Sequence, residues 1–223
     1  MAQRKFTNLS DEECLKVYPT IWNNFNRHYK IAKLLGEHQE YPNAIAHLIL
    51  GTEELVKALA LLLQGKGFRV SNMKKYKLLF SNHGARHVVI KDIYSFAIFF
   101  SNISRMVDRK NDKSIKNMAF VTYKIFTSIA QGIKNDEWWK EADKRKQKCF
   151  YVDFENELLS PDRFTVDDFQ EALTIINVFK KDAGRLRRYI FQCSEDELKG
   201  YISRVNQSKL FDTLNERIKK SGT

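Results

Sequence analysis

Apolar residues recur at intervals of three and four through most of the chain, the spacing of one helical face. Ser10 followed by Glu13 is a capping-box pattern, so a helix is expected to begin near Asp11. Pro19 predicts a break, because proline removes a backbone donor and crowds the preceding turn. A second helix is then expected from Thr20 to about His38, with Gly36 weakening its last turn. Pro42 and Gly65 bracket an almost wholly apolar run, one at a first-turn position and the other at a helix end, and predict a single helix between them. Residues 65–72 read as a basic loop carrying Lys66 and Arg69. Two more helical stretches are expected, from near Ser81 to Val107 and from Ser114 to Lys148, joined by the polar residues 108–113, with a joint at 132–136. Phe150 to Phe154 is the one candidate extended piece, and Ser160-Pro161 marks a loop. Thr165 caps a helix reaching about Gln192, in which Gly184 is a soft spot. Ser194 with Glu197 opens a short helix, separated by residues 206–208 from a last amphipathic helix ending near Lys220.

This pattern predicts an all-α protein. Composition agrees: 223 residues hold only 3 prolines and 9 glycines, too few for a turn-rich β fold or a collagen-like chain. With 43% apolar residues the chain can build a core and is not of the disordered class. Lys and Arg outnumber Asp and Glu by 38 to 27, a net charge of +11 that draws polyanions such as RNA, DNA or an acidic protein. The three cysteines, Cys14, Cys149 and Cys193, are too scattered for a disulfide framework or a zinc knuckle and suit a reducing compartment. The first ten residues lack the apolar core of a signal peptide. The longest apolar stretch, Ala44 to Leu63, carries His47, Glu53, Glu54 and Lys57, which argues against a membrane span. A cytoplasmic location follows as the expectation.

The charged residues within that apolar helix are the most informative. At about 100° per residue, His47, Leu50, Glu54, Lys57 and Leu61 share a stripe. Glu53 lies one step round and can reach Lys57 four residues on. A buried carboxylate costs several kcal/mol unless paired, so partners are required from elsewhere. His83, Arg86 and His87 share one face at the start of the next helix, a position suited to anions. Arg86 can pair with Glu53 or Glu54, and the two histidines titrate near neutrality. The same residues also suit a plain inter-helix tie. His-x-x-x-His can hold zinc, but Gly84 stands where a metalloprotease needs glutamate, and no metal or cofactor is expected. Nucleophile elbows, phosphate-cradling glycine loops and dinucleotide fingerprints are absent.

Three blocks together resemble the AbiV family of bacterial abortive-infection proteins. "EYPNAIAHLILGTEELVKALALL" is similar to its first signature, a small-residue helix with E-E-x-x-K, matched by Glu53, Glu54 and Lys57. The second, F-x-x-H-K-x-K, is met by Phe80 and His83, with Gly84 replacing the first lysine and Arg86 the second. "RKQKCFYVDFENELLSP" resembles the third through Arg145, Tyr151, Val152, Asp153 and Pro161, with Phe150 in place of leucine. The blocks span about residues 36 to 161 and leave the tail after about 165 uncovered. The family is similar to the HEPN group of helical proteins, many of them dimeric ribonucleases. The resemblance implies a HEPN-like helical bundle with additional C-terminal helices: residues 1–160 as the AbiV/HEPN-like domain, and 161–223 as a C-terminal helical extension packed on it. It also implies phage defence by arrest of translation, a homodimer, and a phage protein as trigger. One departure stands out: the usual HEPN motif, Arg followed at a short fixed spacing by His, is absent from Arg86, Arg105 and Arg145 onward.

Two mechanisms are open. In the first, a metal-independent endoribonuclease uses Glu54, Lys57, His83, Arg86 and His87 as catalytic groups, with Glu53, Arg145, Tyr151 and Asp153 holding substrate. In the second, basic clusters at 66–77, 105–116, 140–148 and 180–188 bind RNA, the ribosome or an acidic phage protein without catalysis, and Trp138, Trp139 and Tyr151 supply rings on which bases stack. The apolar run at 94–100 serves as core or interface in either case.

Overall fold

The computed structural model describes residues 5–72, 76, 80 and 137–207. Helix α1 spans Asp11–Glu37, and α2 spans Tyr41–Gly65. A helix over 137–150, α3, leads into a two-stranded hairpin, β1 (Asp153–Glu155) and β2 (Glu157–Leu159). Helices α4 (Val166–Gln192) and α5 (Glu195–Gln207) follow. The described chain is therefore all-α apart from the hairpin. Among the described residues no helix is long and apolar enough to cross a membrane.

Local signals explain most boundaries. The Ser10 hydroxyl accepts from the Glu13 amide at 3.2 Å while the Glu13 carboxylate accepts from the Ser10 amide at 2.8 Å, the reciprocal bonds of a capping box. Thr165 and Asp168 repeat the device for α4, and Ser194 with Glu197 for α5. Pro42 sits in the first turn of α2, where its missing donor costs nothing.

Four expectations are corrected. Pro19 does not end a helix: α1 runs through it for 27 residues. Losing one backbone bond there costs about 3 kcal/mol, but Tyr18, Ile21, Trp22 and Phe25 continue one buried stripe across the proline, and each such ring or branched chain returns about 1.5–3 kcal/mol. Gly65 is not the residue that stops α2. The left-handed conformation falls to Gly67, at φ 87°, and Gly65 is a glycine because α1 crosses there: a Cβ would lie 2.8 Å from the Asp11 carbonyl oxygen. The 65–72 segment is no surface loop, since Phe68 and Val70 are buried. Helix α5 continues through Asn206 and Gln207. Of the candidate extended piece only Asp153 and Phe154 are in a strand, since Phe150 still belongs to α3; the strand continues into a hairpin, Asp153 pairing Leu159 and Phe154 pairing Leu158 about Asn156, which has φ 65°. The stretches expected to be helical at 81–107 and 114–136, the 94–100 run and the helix after 208 lie outside the described residues.

Helices α1 and α2 form an antiparallel hairpin: Asp11 meets Gly65, and His28 meets His47 and Gly51. Helix α4 lies on α2 and runs back along α1, with Phe169 against Gly36 and Tyr41, Asn177 on Tyr29, and Phe191 against Tyr18. Helix α3 packs on the same core through Trp139, whose ring meets Phe179 edge-on at 6.3 Å. The result makes α2 the central element, with buried residues on nearly every face from Ala44 to Leu63.

Two glycines test this packing in opposite directions. A Cβ at Gly51 would come within 2.9 Å of the His28 Cβ, whereas one at Gly184 meets nothing within 4 Å. Gly51→Ala is expected to destabilise by about 1–3 kcal/mol through overpacking. Gly184→Ala is expected to stabilise by about 1 kcal/mol through helix propensity. Urea denaturation of the two variants checks both signs.

Candidate functional site

Helix α2 has one face that is not sealed. His47, Leu50, Glu54 and Lys57 are half-buried while their neighbours on the helix are buried. This is the stripe expected from helical spacing, except that Leu61 at its end is buried. Within it the Lys57 ammonium donates to the Glu54 carboxylate one turn away, and both side chains retain limited exposure, 13% and 19%.

Glu53 goes elsewhere. Its side chain is 1% exposed, and its carboxylate accepts from Lys146 Nζ at 2.8 Å. The same ammonium lies 2.9 Å from Asp143. Burial pulls the Lys146 pKa down, but the hydrogen bonds it donates to Glu53 and Asp143, with their charges, outweigh it and leave the ammonium above its ordinary value. The expectation that Glu53 reaches Lys57 is therefore corrected: Lys57 takes Glu54, and Glu53 takes a cation from α3. The reason is rotation. One residue is about 100° of helix, which carries Glu53 off the open stripe and onto the side that faces α3.

Beside the open stripe lies a pair of histidines. His28 Nδ1, from α1, and His47 Nδ1, from α2, are 3.0 Å apart, so one ring donates and the other accepts. Burial lowers the pKa of both. At His28 the nearby Glu54 opposes that shift, while Arg27 and Lys57 add to it; at His47 the neighbouring His28 adds to it. Two protonated rings would set donor against donor across this contact, which also favours the neutral pair. A carboxylate, an ammonium and two neutral imidazoles thus meet at the α1–α2 crossing, groups able to accept, donate and stabilise negative charge.

The other sequence candidates are placed apart. Arg145 turns away from α2. It lies 3.4 Å from the Glu171 carboxylate and 5.4 Å over the Trp138 ring, and it lines a recess of about 300 Å³ with Lys144, Lys148 and Arg163. Tyr151 is 68% exposed, packed edge-on against Phe150. Asp153 accepts from the Phe154 amide at 2.8 Å within the hairpin. Neither has a described contact with Glu54 or Lys57. His83, Arg86 and His87 lie outside the described residues. Trp138 and Trp139 are not open to bases: both are 4% exposed and meet edge-on at 4.7 Å. Cys149, near the other end of α3, is buried, and burial pushes its thiol up to about 12.

Sequence reasoning missed His28 and Lys146, although each left a mark. His28 sits in the run of Tyr18, Ile21, Trp22, Phe25 and Ala32, and Lys146 in the run of Trp139, Ala142 and Cys149. A polar residue on an otherwise apolar stripe needs a partner.

Two outcomes are expected. Lys146→Met removes the ammonium from a deeply buried carboxylate and should cost about 3–5 kcal/mol. Adding Glu53→Gln should restore part of that loss, read as non-additivity in a double-mutant cycle by urea denaturation. For the histidines, the folded pKa values lie below the ordinary 6.5, so the unfolded chain binds protons first as pH falls. Their contribution is complete above about pH 6.5 and is lost as pH falls toward the folded values. Melting curves between pH 7 and 5 should fall less steeply for His47→Gln than for the wild type.

A family model, HEPN_AbiV, described as AbiV, matches residues 13–179. No curated protein and no solved structure matches the chain. The match reaches further than the three blocks suggested, into α1 on one side and α4 on the other. It contains His28, His47, the Glu53–Lys146 tie and the Glu54–Lys57 pair. The chain belongs to the AbiV family of HEPN-type proteins, which carries with it an abortive-infection, anti-phage role.

Proposed function

We propose that this protein is an anti-phage effector that arrests translation by cleaving RNA once a phage product triggers it. The observation that carries the reading is the open stripe of α2. There the Glu54–Lys57 pair lies beside the His28–His47 pair on the one unsealed face of an otherwise buried helix. Unlike Glu53, which is sealed against Lys146, Glu54 and Lys57 keep some access to solvent. The chemistry that suits it is metal-independent transesterification. A base takes the proton of a ribose 2′-hydroxyl, the oxygen attacks the adjacent phosphorus, and an acid protonates the departing 5′-oxygen, leaving a 2′,3′-cyclic phosphate. His83 and His87 serve as base and acid, Glu54 orients a histidine, and Lys57 with Arg86 stabilises the extra charge on the phosphorane. Arg145, Tyr151 and Asp153 belong to the substrate side of this reading, while Glu53, expected there from the sequence, is sealed against Lys146 and holds α3 in place instead. The protein acts as a cytoplasmic homodimer without cofactor.

A second reading is supported by a different observation. Helix α4 presents cations that no described carboxylate neutralises, as a protein holding RNA or the ribosome without cutting it would require.

Purified protein incubated with RNA in chelator should yield products ending in cyclic phosphate. Lys57→Ala and His83→Ala should each lower the rate by about 10²–10⁴-fold while melting near the wild type. Unchanged cleavage in both variants removes this assignment. In phage-challenged cells, intact total RNA together with halted protein synthesis selects the binding reading.

A further inference from the structure

A second concave surface lies on the far part of α4. Asn177, Lys180, Lys181, Gly184, Arg187, Arg188 and Phe191 recur at helical spacing along one side of α4. With Trp22 of α1 as the opposite wall, they line a groove of about 820 Å³. The catalytic reading above does not use this groove. Most of it, from Lys180 onward, also lies beyond residue 179, where the family match ends.

Its electrostatics are one-sided. Lys180, Lys181, Arg187 and Arg188 line the groove, and among the described residues no carboxylate lines it. The nearby Asp182 is paired with Arg185 at 3.0 Å. Among the described residues none of the four cations has a carboxylate partner. Lys66 adds a fifth charge at one end, 4.7 Å over the Phe191 ring. Lys33 adds a sixth near Lys180, whose pKa is lowered by burial and by that neighbour. Like charges on one helix side destabilise it unless something negative compensates.

The spacing sets the shape of the ligand. The pairs 180/181 and 187/188 stand seven residues apart, about 10.5 Å along the axis. One phosphate cannot meet both, but a chain of phosphates can. Gly184 lies between the pairs, with open space where its side chain would be, so a flexible strand can run close to the helix there. One aromatic surface accompanies the charge: Phe191 is 51% exposed, while Trp22 is buried under Arg187, which lies 5.0 Å over its ring. A row of cations ending on an exposed ring suits a strand that offers both phosphates and unstacked bases.

We infer that this groove is a docking site for single-stranded RNA, holding the backbone on the α4 cations and leading the strand onto the protein. The inference rests on the reading that RNA is the target. It adds a site apart from the α2 stripe.

The test is fluorescence anisotropy of full-length protein with a labelled single-stranded RNA of about 12 nucleotides at about 50 mM salt. Lys181 and Arg188 are exposed, so reversing them leaves the core untouched. Lys181→Glu with Arg188→Glu should weaken binding roughly tenfold or more and flatten the salt dependence by about 1.4 in log–log slope, two phosphate contacts' worth. Gly184→Leu changes no charge and should also weaken binding about tenfold, with a melting temperature equal to or above the wild type. If both variants bind like the wild type, the strand docks elsewhere; the groove assignment falls and the RNA reading stands. If the wild type binds no single-stranded RNA at low salt, both fall together. Equal competition by duplex RNA or by polyglutamate overturns the single-strand assignment in favour of a less specific polyanion surface.

Discussion

The burial of α2 is the constraint on which the described structure depends. A helix that is apolar on nearly every side must be covered on nearly every side, so α1, α3 and α4 converge on it. The same helix carries Glu53 at almost zero exposure, and an ionised carboxylate there is tolerable only with a cation and further hydrogen bonds around it. Lys146 supplies the cation from 93 residues away along the chain, itself steadied by Asp143. Hydrophobic burial collects the helices, and this buried tie selects the rotation and register at which α3 meets α2.

That division of labour frees a neighbouring face. With Glu53 neutralised on the α3 side, Glu54 and Lys57 can sit on a stripe that retains some access to solvent, next to two histidines kept neutral by burial. Adjacent carboxylates in the sequence thus serve different ends: one is sealed and structural, the other half-open and available. The E-E-x-x-K pattern of α2 makes sense in these terms, because the two glutamates stand about 100° apart on the helix and cannot be redundant.

Charge is distributed unevenly over the rest of the protein. Lys57, Lys146 and Arg185 are each held by a carboxylate, and Arg145 lies near one at a looser 3.4 Å. Among the described residues, the cations of the α4 groove have no such partner. A net charge of +11 is a property of the whole chain, but only unpaired charge on a concave surface acts at short range on a partner. The basic groove, from Lys180 onward, thus lies beyond the family match, which takes in α1, α2, α3 and the first half of α4.

What was legible in the sequence follows from local physics. Caps at Ser10, Thr165 and Ser194, the bracketing of α2 and the half-open stripe from His47 to Lys57 all depend on residues within a few positions of one another, and these were readable. Pro19 was misread because its local cost is outweighed by a buried stripe on either side of it. Gly65 was misread because its role is to let α1 pass, and no neighbour in sequence records that. The partners of Glu53 and His28 could be required but not named, since spacing says that a buried charge or ring needs a counterpart and only packing brings that counterpart near. The chain by itself determined a helical protein with charged groups on a buried helix. The tertiary structure decided which of those groups are locked in pairs and which remain open, because pairing across helices depends on rotation and approach, and neither is a property of local sequence.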